Sequence, residues 1–213
     1  MSMKDWIIYF DTLISVAEKI INLVKGWTTN LESEELACIV VNHACAAAAT
    51  GMTAGVLPGV ASIIAGGISI GAIWHMYYAI GKYLNLSFNT DILKAVGSAI
   101  LSNIVNQLWG VLAIEVAATF IPIIAIPATG LIFFVVTYLS GLTFLILLAY
   151  IFQAGGNPAE MTAEEMEKNA KEVGSKIDLK SEFNHAKEGF KKMRKDGSLG
   201  KQAEGVDIEN YNI

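Results

Sequence analysis

The sequence predicts an all-α integral membrane protein: a helical bundle of two proline-tipped hairpins, flanked by an N-terminal amphipathic helix and a helical cytoplasmic tail. Three observations predict it. The first is composition. Of 213 residues, 54% are hydrophobic and only 16% charged, with a mean hydropathy of +0.48, against roughly 25% charged in a typical soluble domain. The second is segregation of charge. Residues 36–81, 95–114 and 116–159 contain no Asp, Glu, Lys or Arg. The third is the run GLIFFVVTYLSGLTFLILLAYIF from Gly130 to Phe152, apolar all round a helix except at Thr137, Ser140 and Thr143. A buried core helix is seldom so long and so apolar on every side.

The same numbers exclude several classes. A disordered chain needs low hydrophobicity and high charge. The net charge is −5, so no basic excess is present to hold a nucleic-acid backbone, and nucleic acid is not an expected partner. Two cysteines cannot form a disulfide framework.

Residues 4–25 fit an amphipathic helix. Trp6, Phe10, Leu13, Ala17, Ile20, Ile21 and Val24 recur at helical spacing, with Lys4, Asp11, Glu18, Lys19 and Lys25 on other faces. Asp11 and Glu18 interrupt the apolar run, so it is not a signal peptide. Two readings stand: a helix lying in the membrane interface, or a helix packed on the bundle.

A bilayer-crossing helix needs about 20 apolar residues, so each long charge-free stretch holds two arms and a turn. The breaks fall at Leu57-Pro58-Gly59 and between Ile121 and Pro127, since proline removes a helical hydrogen bond. The arms are about 36–56 and 60–81 in the first hairpin, and 95–120 and 130–152 in the second. The two share the order helix, proline break, apolar helix, a repeated architecture without residue identity. Every Lys and Arg falls in residues 1–35, 82–94 or after 157. The positive-inside rule places all three zones on one side. That gives a multi-pass protein, of a bacterial inner membrane, with both termini cytoplasmic. Whether the tips cross or are re-entrant stays open. The domains are then 1–35 (interfacial helix and linker), 36–153 (membrane domain, hairpins about 36–81 and 95–153) and 154–213 (soluble helical tail).

In the tail, Thr162-Ala163-Glu164-Glu165 matches a capping box that starts a helix ending near Gly174. A second helix starts after Asp178, with Phe183, Ala186, Phe190 and Met193 on one stripe. Lys191, Lys192, Arg194 and Lys195 cluster at its end, either as charges favourable at a helix C-terminus or as contacts to anionic lipid. Residues 197–213 are expected to be poorly ordered unless docked.

Four groups of residues are candidate sites. Gly51, Gly55 and Gly59, with Gly67 and Gly71, give the first hairpin a small-residue surface. Such surfaces pack closely in lipid, within one chain or between subunits. His43 and His75 lie at similar distances either side of Pro58, a possible proton-responsive pair or satisfied bundle histidines. Cys38 and Cys45 flank His43, but no carboxylate or paired motif completes a metal set, so no metal or cofactor is expected. Ser98, Ser102 and Asn106, with Asn103, Gln107 and Glu115, form a polar stripe. It either lines a pore, hydrogen-bonds inside the bundle, or faces water on a flat-lying helix. No catalytic motif and no spaced acid–base pair is present, so enzyme activity is not expected.

The stretch GVLPGVASIIAGGISIGAIWHMYYAIGKYLNL, a polar-striped helix, FIPIIAIPATGLIFFVVTYLSG and a last apolar helix resemble the YcjF-like, GTPase-associated membrane domain of unknown function. Met76-Tyr77-Tyr78 before Gly81, and Thr137-Tyr138-Leu139-Ser140-Gly141, stand where that family has its Met-aromatic and Thr-x-x-x-Gly patterns. The resemblance covers about 36–152 and implies a helical membrane domain found with GTPases. This sequence has no GTPase domain of its own, so such a partner would be separate. The expected function is a non-enzymatic, homo-oligomeric scaffold or membrane-remodelling module that recruits a partner through its tail. An oligomeric pore or ion channel, or a colicin-like membrane-inserting protein, are the alternatives.

Overall fold

The computed structural model describes residues 9–26, 31–54, 61–118, 122–204 and 206, with the side chains of 54, 61–69, 115–118 and 122–125 left aside. Among these residues the chain is helical, with no strand. The helices are α1 (Asp11–Val24), α2 (Ser33–Ala54), α3 (Ala61–Tyr83), α4 (Thr90–Ala118), α5 (Pro122–Gln153), α6 (Ala163–Gly174), α7 (Leu179–Asp196) and α8 (Ser198–Ala203). A 3-10 turn, Pro158–Glu160, links α5 to α6.

Three helices are long and apolar enough to cross a bilayer: Ser33–Thr53, Thr90–Ile114 and Ile126–Gln153. These correspond to three of the four expected arms. Part of α3, the fourth, lies outside the described side chains.

Helix α5 is the axis of the bundle. It starts at Pro122, eight residues before the expected arm, and carries Pro127 inside it. Pro122 sits where the first helical N–H groups lack partners anyway. The Leu57-Pro58-Gly59 break lies outside the described residues.

Glycines set how closely α2 and α5 approach. A Cβ on Gly51 would run into the Phe133 ring, one on Gly130 would lie 2.5 Å from Met52 Cγ, and one on Gly141 would lie 2.6 Å from Val40 Cγ1. The residue numbers fall along α2 as they rise along α5, so the two helices are antiparallel. Helices α2 and α3 are antiparallel too, since Tyr83 bonds Glu32 while His75 bonds His43. The ends of α2 and α5 near residues 54 and 122 therefore lie together.

The opposite end is closed by left-handed residues. Asn85 has φ 61° and Gly155 φ 77°. Leu86 N–H returns to the Gly81 carbonyl at 2.8 Å, and Gly156 N–H to the Ile151 carbonyl at 3.0 Å. These bonds satisfy the last carbonyls of α3 and α5.

The remaining helices do not form a body by themselves. Helix α1 and helices α6, α7 and α8 pack against α2, α4 and α5. Leu13, Ala17, Ile20, Ile21 and Val24 are the buried face of α1. Of the two readings open for that segment, the described part of the helix takes the packed one. The stripe Phe183, Ala186, Phe190 and Met193 is buried as well. Phe190 meets Phe134 at 5.5 Å, and Phe10 meets Tyr138 at 5.1 Å between ring centroids. Gly189 leaves room for the Phe10 ring. Helix α8 is docked, with Ser198 and Leu199 buried. Gly197, at φ 75°, makes the bend before it.

The capping box of α6 has both its bonds. Glu165 N–H donates to Thr162 Oγ1 at 3.2 Å, and Thr162 N–H donates to Glu165 Oε2 at 2.8 Å. That donated bond holds the Glu165 carboxyl below the usual carboxylate range. Because the folded-state value is depressed, the bond's contribution to stability is present above the usual carboxylate range and is lost as pH falls through the lower folded-state value. Two outcomes are expected. Thr162→Ala lowers stability by about 1 kcal/mol in thermal unfolding. Amide exchange at 163–166 quickens as pH is lowered below the usual carboxylate range, after correction for intrinsic rates.

Candidate functional site: a polar-to-apolar helix face

Helix α4 is the least covered of the three long apolar helices. Only 28% of its most apolar stretch is buried, against 78% for α5. Its polar residues split in two. Gln107 Nε2 donates to the Gly174 carbonyl at 2.8 Å, satisfying the C-terminus of α6, and Asn103 lies against Gly174. Ser98, Ser102 and Asn106 are exposed. The Glu115 side chain lies outside the described residues.

The exposed face changes character along its length. It begins with Asp91 and Lys94, continues through Ser98, Ser102 and Asn106, and ends with Trp109, Ala113 and Ile114. Trp109 is 69% exposed and Ile114 73%. Ile126, near the start of α5, is exposed at the same end of the bundle, and Ile70 is exposed midway along α3. A large apolar side chain in water is unremarkable singly, but several at one end mark a surface that meets something else. The sequence reading found the polar stripe and missed its continuation. The signal was the change from Ser and Asn to Trp and Ile at the same helical spacing.

The glycines called small-residue surface separate likewise. Gly51 is filled by Phe133 of the same chain, whereas a Cβ on Gly71 meets no described atom within 4 Å. Gly67 lies in α3 where surroundings are not described, and Gly55 and Gly59 lie outside the described residues. Gly130 and Gly141, not singled out in the sequence, are the close-approach positions between α2 and α5.

His43 and His75 do meet. His43 Nε2 and His75 Nδ1 are 2.7 Å apart, and His43 Nδ1 lies 2.7 Å from the Ile39 carbonyl. A carbonyl only accepts, so His43 Nδ1 carries a proton. A neutral His43 then accepts at Nε2 from His75 Nδ1–H. This relay ties α2 to α3. The pair can take up one proton with a hydrogen bond still between the rings; a second sets two N–H donors face to face. Cys38 and Cys45 are buried and form no disulfide, and among the described residues no three His, Cys, Asp or Glu side chains converge.

One buried carboxylate escaped the sequence reading. Glu182 of α7 accepts from Thr12 Oγ1 at 3.0 Å, while its other oxygen has no hydrogen-bond partner among the described residues. The bond ties α7 to α1 beside α5. Glu182 follows a capping Asp178 at helical spacing, which in sequence reads as an ordinary first-turn acid.

Comparison with known proteins finds no matching family model, no matching curated protein and no matching solved structure. The resemblance stated above therefore rests on its own residues.

Proposed function

We propose that the chain is a non-enzymatic, membrane-inserting helical bundle that attaches to a bilayer by the exposed apolar face of α4 at Trp109 and Ile114 and offers its charged helices to a partner. Of the readings open at sequence level, this combines the colicin-like alternative with partner recruitment. The observation that carries it is the packing of α5. Its apolar surface is covered by helices of the same chain whose outer faces carry Glu167, Lys168, Lys171, Glu188 and Lys191. Charged faces are costly in hydrocarbon, so a bilayer does not surround α5 over the length that these helices cover.

The pore reading is weaker. Asn103 and Gln107, two of its lining residues, face α6. The homo-oligomeric scaffold loses Gly51, whose surface is occupied within the chain. It keeps the open face at Gly71. A separate GTPase, the partner class implied by the YcjF-like resemblance, would meet the charged faces of α6 and α7.

Flotation with liposomes tests the proposal. The chain is expected to rise with the vesicles. Its remaining in the dense fractions at every lipid concentration would refute attachment.

A further inference from the structure

We infer that His43 and His75 together form a two-imidazole site for a divalent transition-metal ion of the copper and zinc class, which clasps α2 to α3. This goes beyond the attachment proposed above and does not depend on it. Ligands counted along the sequence are two histidines with no third protein group, which argues against a metal. The structure adds what a count lacks: which nitrogens meet, and how each ring is held.

His43 is oriented as a metal ligand is oriented. Its side chain is buried, and its Nδ1–H donates to the Ile39 carbonyl at 2.7 Å. A metal-bound imidazole almost always donates its other ring N–H to a carbonyl, a carboxylate or water. That bond fixes the tautomer and the ring direction, and it raises the basicity of the ligating nitrogen. The lone pair left on His43 Nε2 points across the seam to His75 Nδ1, 2.7 Å away, with the ring centroids 4.9 Å apart.

The two sides of the seam differ in freedom. One turn before His43, Val40 lies against Gly141 of α5, so the backbone there is held. His75 is only partly buried, and its ring has room to pivot. Metal–nitrogen bonds of about 2.0–2.1 Å at a tetrahedral angle set two nitrogens about 3.3 Å apart. The imidazoles therefore have to part by about 0.6 Å and tilt toward a common point. The proton on His75 Nδ1 leaves as the metal arrives, to Nε2 of the same ring or to solvent. Water reaching the open side of His75 fills the remaining positions.

The ligand atoms select the ion. Neutral imidazole suits copper, zinc and nickel, whereas Mg2+ and Ca2+ take oxygen ligands. Cu2+ stands highest in the affinity order of the divalent ions. Helix α5 packs on both α2 and α3 and carries no charged residue from Ile126 to Gln153. It brings neither a lysine to repel the ion nor a carboxylate to complete the site.

Calorimetric titration of the metal-stripped, tag-free chain with Cu2+, Zn2+ and Mg2+ tests the site in buffer without lipid, so its outcome stays separate from that of flotation. Electron paramagnetic resonance of the Cu2+ form counts the coordinating nitrogens. The expected result is saturable binding of Cu2+ and Zn2+ at one ion per chain, two coupled nitrogens, a raised Tm, and no binding of Mg2+. His75→Gln keeps an N–H able to donate to His43 Nε2, so the seam survives while the ligand is lost. It is expected to weaken Cu2+ binding by more than about 100-fold, since losing even an outer-shell partner costs about 10- to 100-fold. His185→Gln removes the third histidine of the chain and is expected to leave affinity unchanged. The same holds for Cys38→Ala with Cys45→Ala. Full affinity in a folded His75→Gln chain, or a loss in His185→Gln, would place the ion elsewhere and overturn the inference. Loss in the cysteine variant would make the ligands thiolates and overturn the two-imidazole assignment. Absence of saturable binding of either ion at millimolar concentration would overturn the site outright.

Discussion

Gly141→Leu is expected to abolish the packed bundle. Gly141 faces α2 and α3 at once: an added Cβ would lie 2.6 Å from Val40 Cγ1 and 2.8 Å from Met76 Sδ. Both neighbours are fully buried, so neither can swing into solvent. Even alanine here forces a shift. Its gain of about 1 kcal/mol in helix propensity is outweighed by overpacking, which costs about 1–3 kcal/mol for a methyl-sized excess. Leucine adds three more carbons to the same notch, enough to exceed much of the roughly 5–15 kcal/mol that holds a domain folded. Thermal unfolding followed by circular dichroism should show Gly141→Ala lowered and Gly141→Leu without a cooperative transition. Val40→Ala in the Gly141→Ala background should recover part of the loss. Gly71→Ala is the control, since its Cβ meets no described atom within 4 Å; it should be neutral or raise stability by up to about 1 kcal/mol.

Truncation after Gly156 is expected to convert the chain into one that aggregates without detergent. The cut removes α6, α7 and α8. It leaves Phe134 without Phe190, and Gln107 without the Gly174 carbonyl. It also exposes the flank of α5, whose mean hydropathy over Ile126–Gln153 is 2.5. Uncovering a few large side chains at about 1.5–3 kcal/mol each consumes most of an ordinary folding free energy. Size-exclusion chromatography with light scattering should find the shortened chain in the void volume in buffer, and monodisperse in detergent. A shortened chain that stays monodisperse in buffer would show that the tail helices cover nothing essential.

Much of this architecture was legible residue by residue. The charge-free stretches located α2 to α5, because charge is costly in any apolar surrounding, whether lipid or protein. The capping box at Thr162 and Glu165 fixed the start of α6. The stripe Phe183, Ala186, Phe190, Met193 fixed the buried face of α7. The near-equal spacing of His43 and His75 from Pro58 anticipated their contact. The cover over α5 was not legible. A leucine facing lipid and a leucine facing Phe190 are equally apolar, so hydropathy names the surface without naming what lies on it. The glycines illustrate the same limit. The GxxxG spacing drew attention to α2 and α3, yet the tight approaches on α5 are at Gly130 and Gly141, eleven residues apart on one face. Their spacing resembles no short motif. Pro127 suggested a turn, but it lies within α5. Near the start of a helix one lost N–H bond is tolerated, and the flanking apolar residues still favour helix. Glu182, the buried acid among the described residues, is defined by Thr12 far away in sequence, which no local pattern reveals.

Chemical cross-linking of α5 to α6 on the vesicle tests the central claim most directly. Tyr150 Oη donates to Glu172 Oε1 at 3.4 Å, and both side chains are partly open to solvent. Tyr150→Cys and Glu172→Cys, in a chain with Cys38→Ala and Cys45→Ala, are joined by a short bis-methanethiosulfonate while the protein is lipid-bound. If α6 stays on α5 beneath its own charged face, an intramolecular link forms in high yield at every lipid-to-protein ratio. If lipid takes the place of α6 along α5, the link forms in buffer and is lost on the vesicle.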